Sequence, residues 1–174
     1  MEKKNCKKNS KGFTIMGVIV AIFISSVSMA AILGLVSSSF NGASVGKMRL
    51  IASGLAQEGI EIIRDYRRAS ADENNWDTWY GSVSSGDYLV EITVGNDVAT
   101  YGYSEIPLKW DPVTGLYQYQ CAEPECEPTP FYRKITLTNY YPVEEYVNVV
   151  SEVRWQFKGQ DYVLTARDNL WNWK

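Results

Sequence analysis

The sequence predicts an α+β protein in which one long N-terminal helix packs on a C-terminal antiparallel sheet. Residues 13–36 form an uncharged apolar run, and a helical repeat of apolar side chains continues from it to Tyr66. Beyond residue 86, short segments alternate between apolar and polar side chains and are separated by turn signals. The helical periodicity is confined to the first part of the chain, and the strand periodicity is confined to the rest. This separation is typical of an α+β fold.

The apolar run predicts a membrane anchor. Residues 13–36, "FTIMGVIVAIFISSVSMAAILGLV", include no charged side chain. As a helix rising about 1.5 Å per residue they span about 36 Å, which exceeds a hydrocarbon core of about 30 Å. A cleaved secretory signal ending at Ser28-Met29-Ala30 is the alternative. Its apolar core would span about 7 to 15 residues, so the longer run observed favours the anchor.

The charges are divided unevenly between the two ends. Residues 1–12 carry five lysines and a single acidic residue, Glu2, whereas the rest of the chain has 12 basic and 19 acidic side chains. By the positive-inside rule the lysines place the N-terminus in the cytoplasm and the remainder outside. The acidic remainder gives no reason to expect nucleic acid as a partner. Histidine is absent, which removes the commonest general base and metal ligand.

Past the anchor, apolar residues continue as a heptad seam. Its members are Val45, Met48, Ala52, Leu55, Gly59, Ile62 and Tyr66. We expect this face to pack on the rest of the same chain, with pairing between subunits as the alternative. Asn41, Gly42 and Gly46 are poor helix formers just before the seam, and a flexible or melting segment there would fit the bending of pilin helices packed in a filament.

The strand signals come in two hairpins and two single segments. A strand is predicted at 87–94, a hairpin at 106–120 turning at 111–115, a strand at 131–140, and a hairpin at 147–166 turning at 158–161. Val149, Val153 and Trp155 alternate with polar residues, which indicates a sheet with one wet face. The seam of the helix supplies the cover for the dry face.

The stretch "KGFTIMGVIVAIFI" (11–24) resembles the N-terminal processing motif of type IV pilins and of type II secretion pseudopilins. The resemblance covers about the first 70 residues, and beyond them it is architectural. It implies that Gly12 is the last residue of a leader removed by a prepilin peptidase. It also implies that Phe13 is the methylated N-terminus of the mature chain. The expected fold is therefore pilin-like, with a spine helix packed on a sheet.

The resemblance also implies an organisation and a function. Residues 1–12 would be the leader, 13–36 the transmembrane half of the spine helix, 37–69 its extracytoplasmic half, and 70–174 the globular head. The chain would be a filament subunit, anchored once in the inner membrane and assembled at the cell surface. Its implied partners are other pilin or pseudopilin subunits, the peptidase and an inner-membrane assembly platform. No enzymatic activity and no cofactor are expected.

One residue departs from the family pattern. The fifth mature position usually holds glutamate, and here it holds Gly17. In the family this glutamate is thought to pair with the terminal ammonium of a neighbouring subunit, a charge that is costly to leave unpaired in lipid. Its absence favours a minor or tip subunit of the filament. The alternative is a membrane-tethered binding module that does not polymerise.

The cysteines indicate a disulfide outside the membrane. Cys6 lies in the predicted leader, which leaves Cys121 and Cys126 in "CAEPEC". A bond between them is geometrically reasonable in an oxidising compartment, and free thiols are expected in a reducing one. Two sulfurs without histidine or a second cysteine pair are a poor zinc ligand set, so no metal site is predicted.

No pattern of catalytic residues is present. The chain lacks a P-loop, a dinucleotide fingerprint and a zinc-protease motif. Glu123, Glu125 and Glu127 are predicted to form a solvated acidic loop, with calcium binding as the alternative. Four tryptophans are predicted to pack at the join of helix and sheet, with stacking on sugars or bases as the alternative. They are Trp76, Trp79, Trp171 and Trp173.

Overall fold

The computed structural model describes residues 15–70, 83–92, 98–121, 126–140 and 146–171. The chain divides into two compact units, one ending at Ser44 and the other beginning at Val45. In its described residues the first unit contributes helix only. The second contains the rest of the helix and all the described strands.

The helix of the described residues, α1, runs from Ile15 to Ser70. It is helical through Asn41, Gly42 and Gly46, as expected for one spine helix, and bending of this segment in a filament stays a prediction. Each glycine in a helix interior costs about 1 kcal/mol relative to alanine. Helix formation is cooperative, and a few isolated poor formers within a helix of 56 residues do not stop it.

The described residues form eight strands in two antiparallel sheets. The strands are β1 (Gly86–Ile92), β2 (Val98–Gly102), β3 (Lys109–Trp110), β4 (Tyr117–Gln118), β5 (Glu127–Pro128), β6 (Phe131–Asn139), β7 (Tyr146–Phe157) and β8 (Gln160–Trp171). The main sheet has the order β2-β1-β6-β7-β8, and the small sheet has the order β4-β3-β5. The helix with its antiparallel sheet confirms the predicted α+β class.

Most of the predicted strands are present. The structure has β1, the hairpin β3–β4, β6 and the hairpin β7–β8 close to the predicted positions. The last strand continues to Trp171, five residues beyond its predicted end, and β2 and β5 were not predicted. The turn signal at 95–97 and the end of the strand predicted at 87–94 lie outside the described residues.

The long hairpin closes with a two-residue turn. Phe157 pairs with Gln160, which leaves Lys158 and Gly159 as the loop. Both have positive φ, 52° and 78°, as a type I′ turn requires. The predicted turn is therefore confirmed, and it sets the register of the twelve-residue strands.

The core lies between α1 and the inner face of the main sheet. Ala52, Leu55 and Ile62 of the seam are buried, as are Val149 and Val153 of β7. The other seam members include Met48 and Tyr66, which pack at the margins of the core. The seam therefore packs on its own chain, as predicted.

The helix and the sheet approach each other very closely at Gly59. A Cβ atom placed there would lie 2.7 Å from Ile135 Cδ1 and 2.7 Å from Ser151 Oγ. Real carbon atoms do not approach this closely, so a side chain at this position would require the Ile135 and Ser151 side chains to shift or the helix to move away from β6 and β7. Glycine is what allows the two layers to lie this near to each other.

Candidate functional site

The first unit presents an apolar helical surface. Ile15, Phe23 and Leu33 are 79%, 68% and 61% exposed, and no described residue covers them. The most apolar window of α1 has a mean hydropathy of 2.5 and no buried residue. By length and composition this helix is able to cross a membrane, and with the motif described below it fits a single-pass inner-membrane anchor.

The hydroxyl groups of this segment bond within the helix. Ser25 and Ser28 donate to the carbonyl oxygens of Ala21 and Ile24, each at 2.8 Å. Ser26 donates in the same way to the carbonyl four residues earlier. A hydroxyl without a partner is costly in hydrocarbon, and these internal bonds remove that cost.

Position 17 is open in the structure. A Cβ atom on Gly17 would have nothing within 4 Å, so the described residues do not exclude a longer side chain there. Gly12 and Phe13, the predicted cleavage and methylation residues, lie outside the described residues. Their assignment therefore stays a prediction.

The head contains a buried cation that joins three elements. The side chain of Arg133 has no exposed area, and its Nη1 lies 3.2 Å from Glu58 Oε1. Nη1 also donates to the Leu55 carbonyl at 3.2 Å, and Nη2 donates to the Val90 carbonyl at 2.7 Å. The guanidinium therefore links α1 to β1 from its own strand, β6.

A buried carboxylate on β1 binds the residues that follow β4. Glu91 is 3% exposed, and its Oε2 accepts a 2.6 Å hydrogen bond from the Tyr119 backbone N–H. Its Oε1 accepts a 3.2 Å bond from the Tyr101 hydroxyl. Burial raises the pKa of the Tyr101 phenol, and the Glu91 charge raises it further. The bond from Tyr119 fastens the residues after β4 to β1, and the bond from Tyr101 adds a side-chain link between β2 and β1.

Tyr119 completes the contact between the two sheets. Its hydroxyl donates to the Arg133 carbonyl at 2.9 Å, and its pKa is raised by burial. Pairing of β1 with β6 extends only from Gly86 to Tyr88, so this bond lies beyond the last pair. Sequence reasoning missed Arg133, although alternation with Phe131 and Ile135 already put it on the buried face. No comparable signal marked Glu91.

Cys121 and Cys126 form a disulfide, with their Cα atoms 6.1 Å apart. The bond expected from the sequence is thus present in the structure. Asp111 lies next to it, and one ligand atom from each of the three residues falls within 4.8 Å of the others. The sequence had not associated Asp111 with the cysteines.

Asp111 begins the turn between β3 and β4. Its Oδ1 accepts bonds from the backbone N–H groups of Val113 and Thr114 at 2.8 and 3.3 Å, and its Oδ2 accepts a 2.6 Å bond from the Thr114 hydroxyl. The hydroxyl and backbone bonds lower the pKa of the Asp111 carboxyl. The predicted turn at 111–115 is confirmed, with Gly115 at a φ of 72°.

The last turns of α1 are attached to β8. Arg64 binds Asp168 with Nη2 at 2.7 Å and Nε at 3.2 Å, and it also pairs with Glu61. The bonds to Asp168 raise the pKa of the Arg64 guanidinium. Since Arg64 lies near the end of the helix and Asp168 near the end of the sheet, the pair fixes one end of the packed layers.

The aromatic residues predicted as packing groups are only partly described. Trp171 is 54% exposed, and its ring centroid lies 4.6 Å from that of Tyr146. It therefore packs on one neighbour and leaves about half of its surface to solvent. Trp76, Trp79 and Trp173 lie outside the described residues, as do Glu123 and Glu125.

The long helix packed through one face on an antiparallel sheet defines a pilin-like α+β protein. The family described as the prokaryotic N-terminal methylation motif matches residues 7–33. The chain thus carries the prepilin-type motif, which supports the type IV pilin and pseudopilin family and points to a structural subunit. Comparisons with curated proteins and with solved structures found no match.

Proposed function

We propose that the protein is a minor structural subunit of a type IV pilus-like or pseudopilus-like filament. It would first be anchored in the inner membrane and then assemble through the apolar half of α1. The observation that carries this proposal is the exposed apolar helix beginning within the methylation motif. Such a surface needs a cover, and lipid or the helices of other subunits supply one.

Assembly through α1 is supported by the shape of its surface. Gly34, Gly42 and Gly46 carry no side chain, and a Cβ atom added at each would have nothing within 4 Å, so no described residue covers these positions. Leaving lipid for a bundle of helices gains little from the hydrophobic effect, since both surroundings are apolar. Close packing at small residues then supplies the attraction between helices.

Processing by a prepilin peptidase is part of the proposal. The peptidase would cut between Gly12 and Phe13 on the cytoplasmic side, where the lysines hold the leader. Methylation of Phe13 would follow. An assembly platform in the inner membrane and other pilin subunits would then be the partners of the mature chain.

The minor or tip status is proposed from Gly17. A subunit without a carboxylate at this position has no charge to pair with a neighbour's terminal ammonium. We expect such a chain to add poorly onto its own kind and to be scarce in the filament.

Immunogold labelling of sheared filaments tests this assignment. We expect the unmutated protein to label filament ends or rare sites, and Gly17→Glu to label along the shaft. Gly17→Gln is the matched control, since it adds the same bulk without the charge, and it should label like the unmutated protein. Dense labelling of whole filaments by the unmutated protein would contradict the minor assignment.

Gly17 also favours a second candidate, a tethered binding module that never polymerises. This alternative predicts that the protein stays in the membrane fraction after shearing, with no label on any filament. Recovery of the chain with a sheared filament fraction would exclude it.

A further inference from the structure

Three potential metal ligands meet at the small sheet. Asp111 directly follows β3, Cys126 directly precedes β5, and Cys121 lies shortly after β4. Because β3 pairs with both β4 and β5, residues up to 15 positions apart are brought together. One ligand atom from each lies within 4.8 Å of the others.

These separations suit one metal ion once the sulfurs are no longer bonded to each other. Zinc binds sulfur at about 2.3 Å and carboxylate oxygen at about 2.0–2.2 Å, so ligands on one tetrahedral ion lie about 3.5–4 Å apart. Since all the separations are within 4.8 Å, the carboxylate oxygen needs to move by at most about 1 Å towards the sulfurs, which themselves separate once their bond is broken. The fourth position is left for water.

Hydrogen bonds from neighbouring residues hold the Asp111 carboxylate in place, as they do for carboxylates that bind metal ions. It is 9% exposed, and both carboxylate oxygens accept bonds from Val113 and Thr114. Oδ2 accepts only the Thr114 hydroxyl among these bonds, so it keeps a lone pair for a metal ion. Hydrogen bonds of this kind hold a ligating carboxylate in place and typically strengthen metal binding about 10- to 100-fold.

We propose that reduction of the Cys121–Cys126 disulfide converts this loop into a zinc-type site formed by two thiolates and the Asp111 carboxylate. A dithiol reductant supplies two electrons and two protons, so the S–S bond breaks, each sulfur gains a hydrogen, and the dithiol closes to its own disulfide. The metal ion then displaces both thiol protons to solvent. The oxidised loop has no thiolate to offer.

The fold supplies a third metal ligand that the sequence did not indicate. Two sulfurs alone are a poor zinc site, and the third ligand comes from a residue ten positions before Cys121 that only strand pairing brings near. The site therefore gives the head a second state in a reducing compartment. It is independent of filament assembly through α1.

Cobalt(II) serves as the spectroscopic probe for the site. The full chain in detergent carries Cys6→Ser so that the remaining thiols are those of the pair. It is reduced with a dithiol and freed of the reductant under nitrogen before titration. We expect one cobalt per chain with a thiolate-to-cobalt charge-transfer band, which zinc displaces, and no band in the oxidised protein.

Two variants test the assignment of the third ligand. Asp111→Asn keeps an acceptor for the turn but weakens the ligand, and should raise the cobalt Kd about 10-fold or more. Asp161→Asn alters an exposed carboxylate at the tip of the long hairpin and should leave the Kd unchanged. Equal affinity of the Asp111→Asn and unmutated proteins would overturn the site as proposed.

A reduced protein without the charge-transfer band would also overturn it. Loss of the sheet signal in circular dichroism on reduction would overturn the proposal too, because the three ligands meet only through β3, β4 and β5. None of these outcomes bears on the filament proposal, since immunogold labelling of filaments reports on that separately.

Discussion

Arg133 Nη1 lies 3.2 Å from Glu58 Oε1, with the arginine side chain wholly buried and the glutamate side chain 31% exposed. The pair joins β6 to α1 through the middle of the core. Burying a guanidinium is costly unless its donors are matched. Here the Leu55 and Val90 carbonyls accept from Arg133 and Glu58 forms an ion pair with it, while Nε has no hydrogen-bond partner among the described residues. This one side chain therefore contributes contacts to the helix and to β1 as well as to its own strand, β6.

Arg133→Ala should destabilise the head by about 3 kcal/mol, because it leaves a cavity and removes the link between three elements. Arg133→Met should cost clearly less, since it refills most of the volume without a charge. Urea unfolding of the full chain in detergent, followed by near-ultraviolet circular dichroism, measures both. The control is Arg154→Ala, whose partly exposed ion pair with Glu105 should contribute less than about 1 kcal/mol. Equal losses for the three variants would contradict this role.

Replacing two glycines of α1 by alanine should change the stability of the protein in opposite directions. Alanine in a helix interior normally stabilises by up to about 1 kcal/mol relative to glycine. Gly54→Ala should show this gain, since nothing lies within 4 Å of its Cβ position. Gly59→Ala should instead destabilise by about 1–3 kcal/mol, because the methyl group overlaps Ile135 and Ser151. Thermal unfolding measures the stability of both variants, and a higher stability of Gly59→Ala would show that the Ile135 and Ser151 side chains make room for the methyl group.

The disulfide should contribute to the stability of the head. In the loop-entropy account, closing so short a loop is worth about 2 kcal/mol, and Cys121→Ser with Cys126→Ser should lose about that amount. Alkylation of the exported protein with and without reductant reports the bond directly. We expect no labelled thiol at these positions until reductant is added. Labelling without reductant would show that the exported head carries free thiols.

Asp111 should make the β3–β4 turn sensitive to acid. Its folded pKa is depressed by bonds from Thr114 and Val113, so its contribution is present above the unfolded pKa of about 3.9. That contribution is lost as the pH falls through the lower folded pKa. Titration by nuclear magnetic resonance should place the Asp111 pKa below that of an exposed aspartate. Thr114→Val removes the hydroxyl bond and should move the pKa back towards the ordinary value, and an unchanged pKa would contradict the assigned cause.

The mature chain should begin at Phe13 with a methylated amino group. The motif at residues 7–33 and the five lysines ahead of Gly12 are the grounds for this expectation. Mass spectrometry of the membrane-extracted protein measures the N-terminus directly. A chain that retains Met1, or one that is cut near Ala30, would contradict the processing step.

The sequence by itself determined most of the elements, although it did not indicate β2 or β5. The span of α1, its seam and the hairpins with their turns follow from periods of 3.6 and 2 and from local turn chemistry, which neighbouring residues carry. Alternation with Phe131 and Ile135 also carries the inward position of Arg133 on β6, which was not predicted. The helix continued through Asn41, Gly42 and Gly46 because cooperativity along α1 outweighs local propensity there.

Only the tertiary structure decided which elements and side chains meet. The strand order β2-β1-β6-β7-β8, the contact of Gly59 with Ile135, and Asp111 beside the disulfide join residues far apart in the chain. Periodicity assigns a residue to a face and says nothing about what lies opposite that face. The opposing partner is set by packing the whole core at once, where each contact depends on all the others.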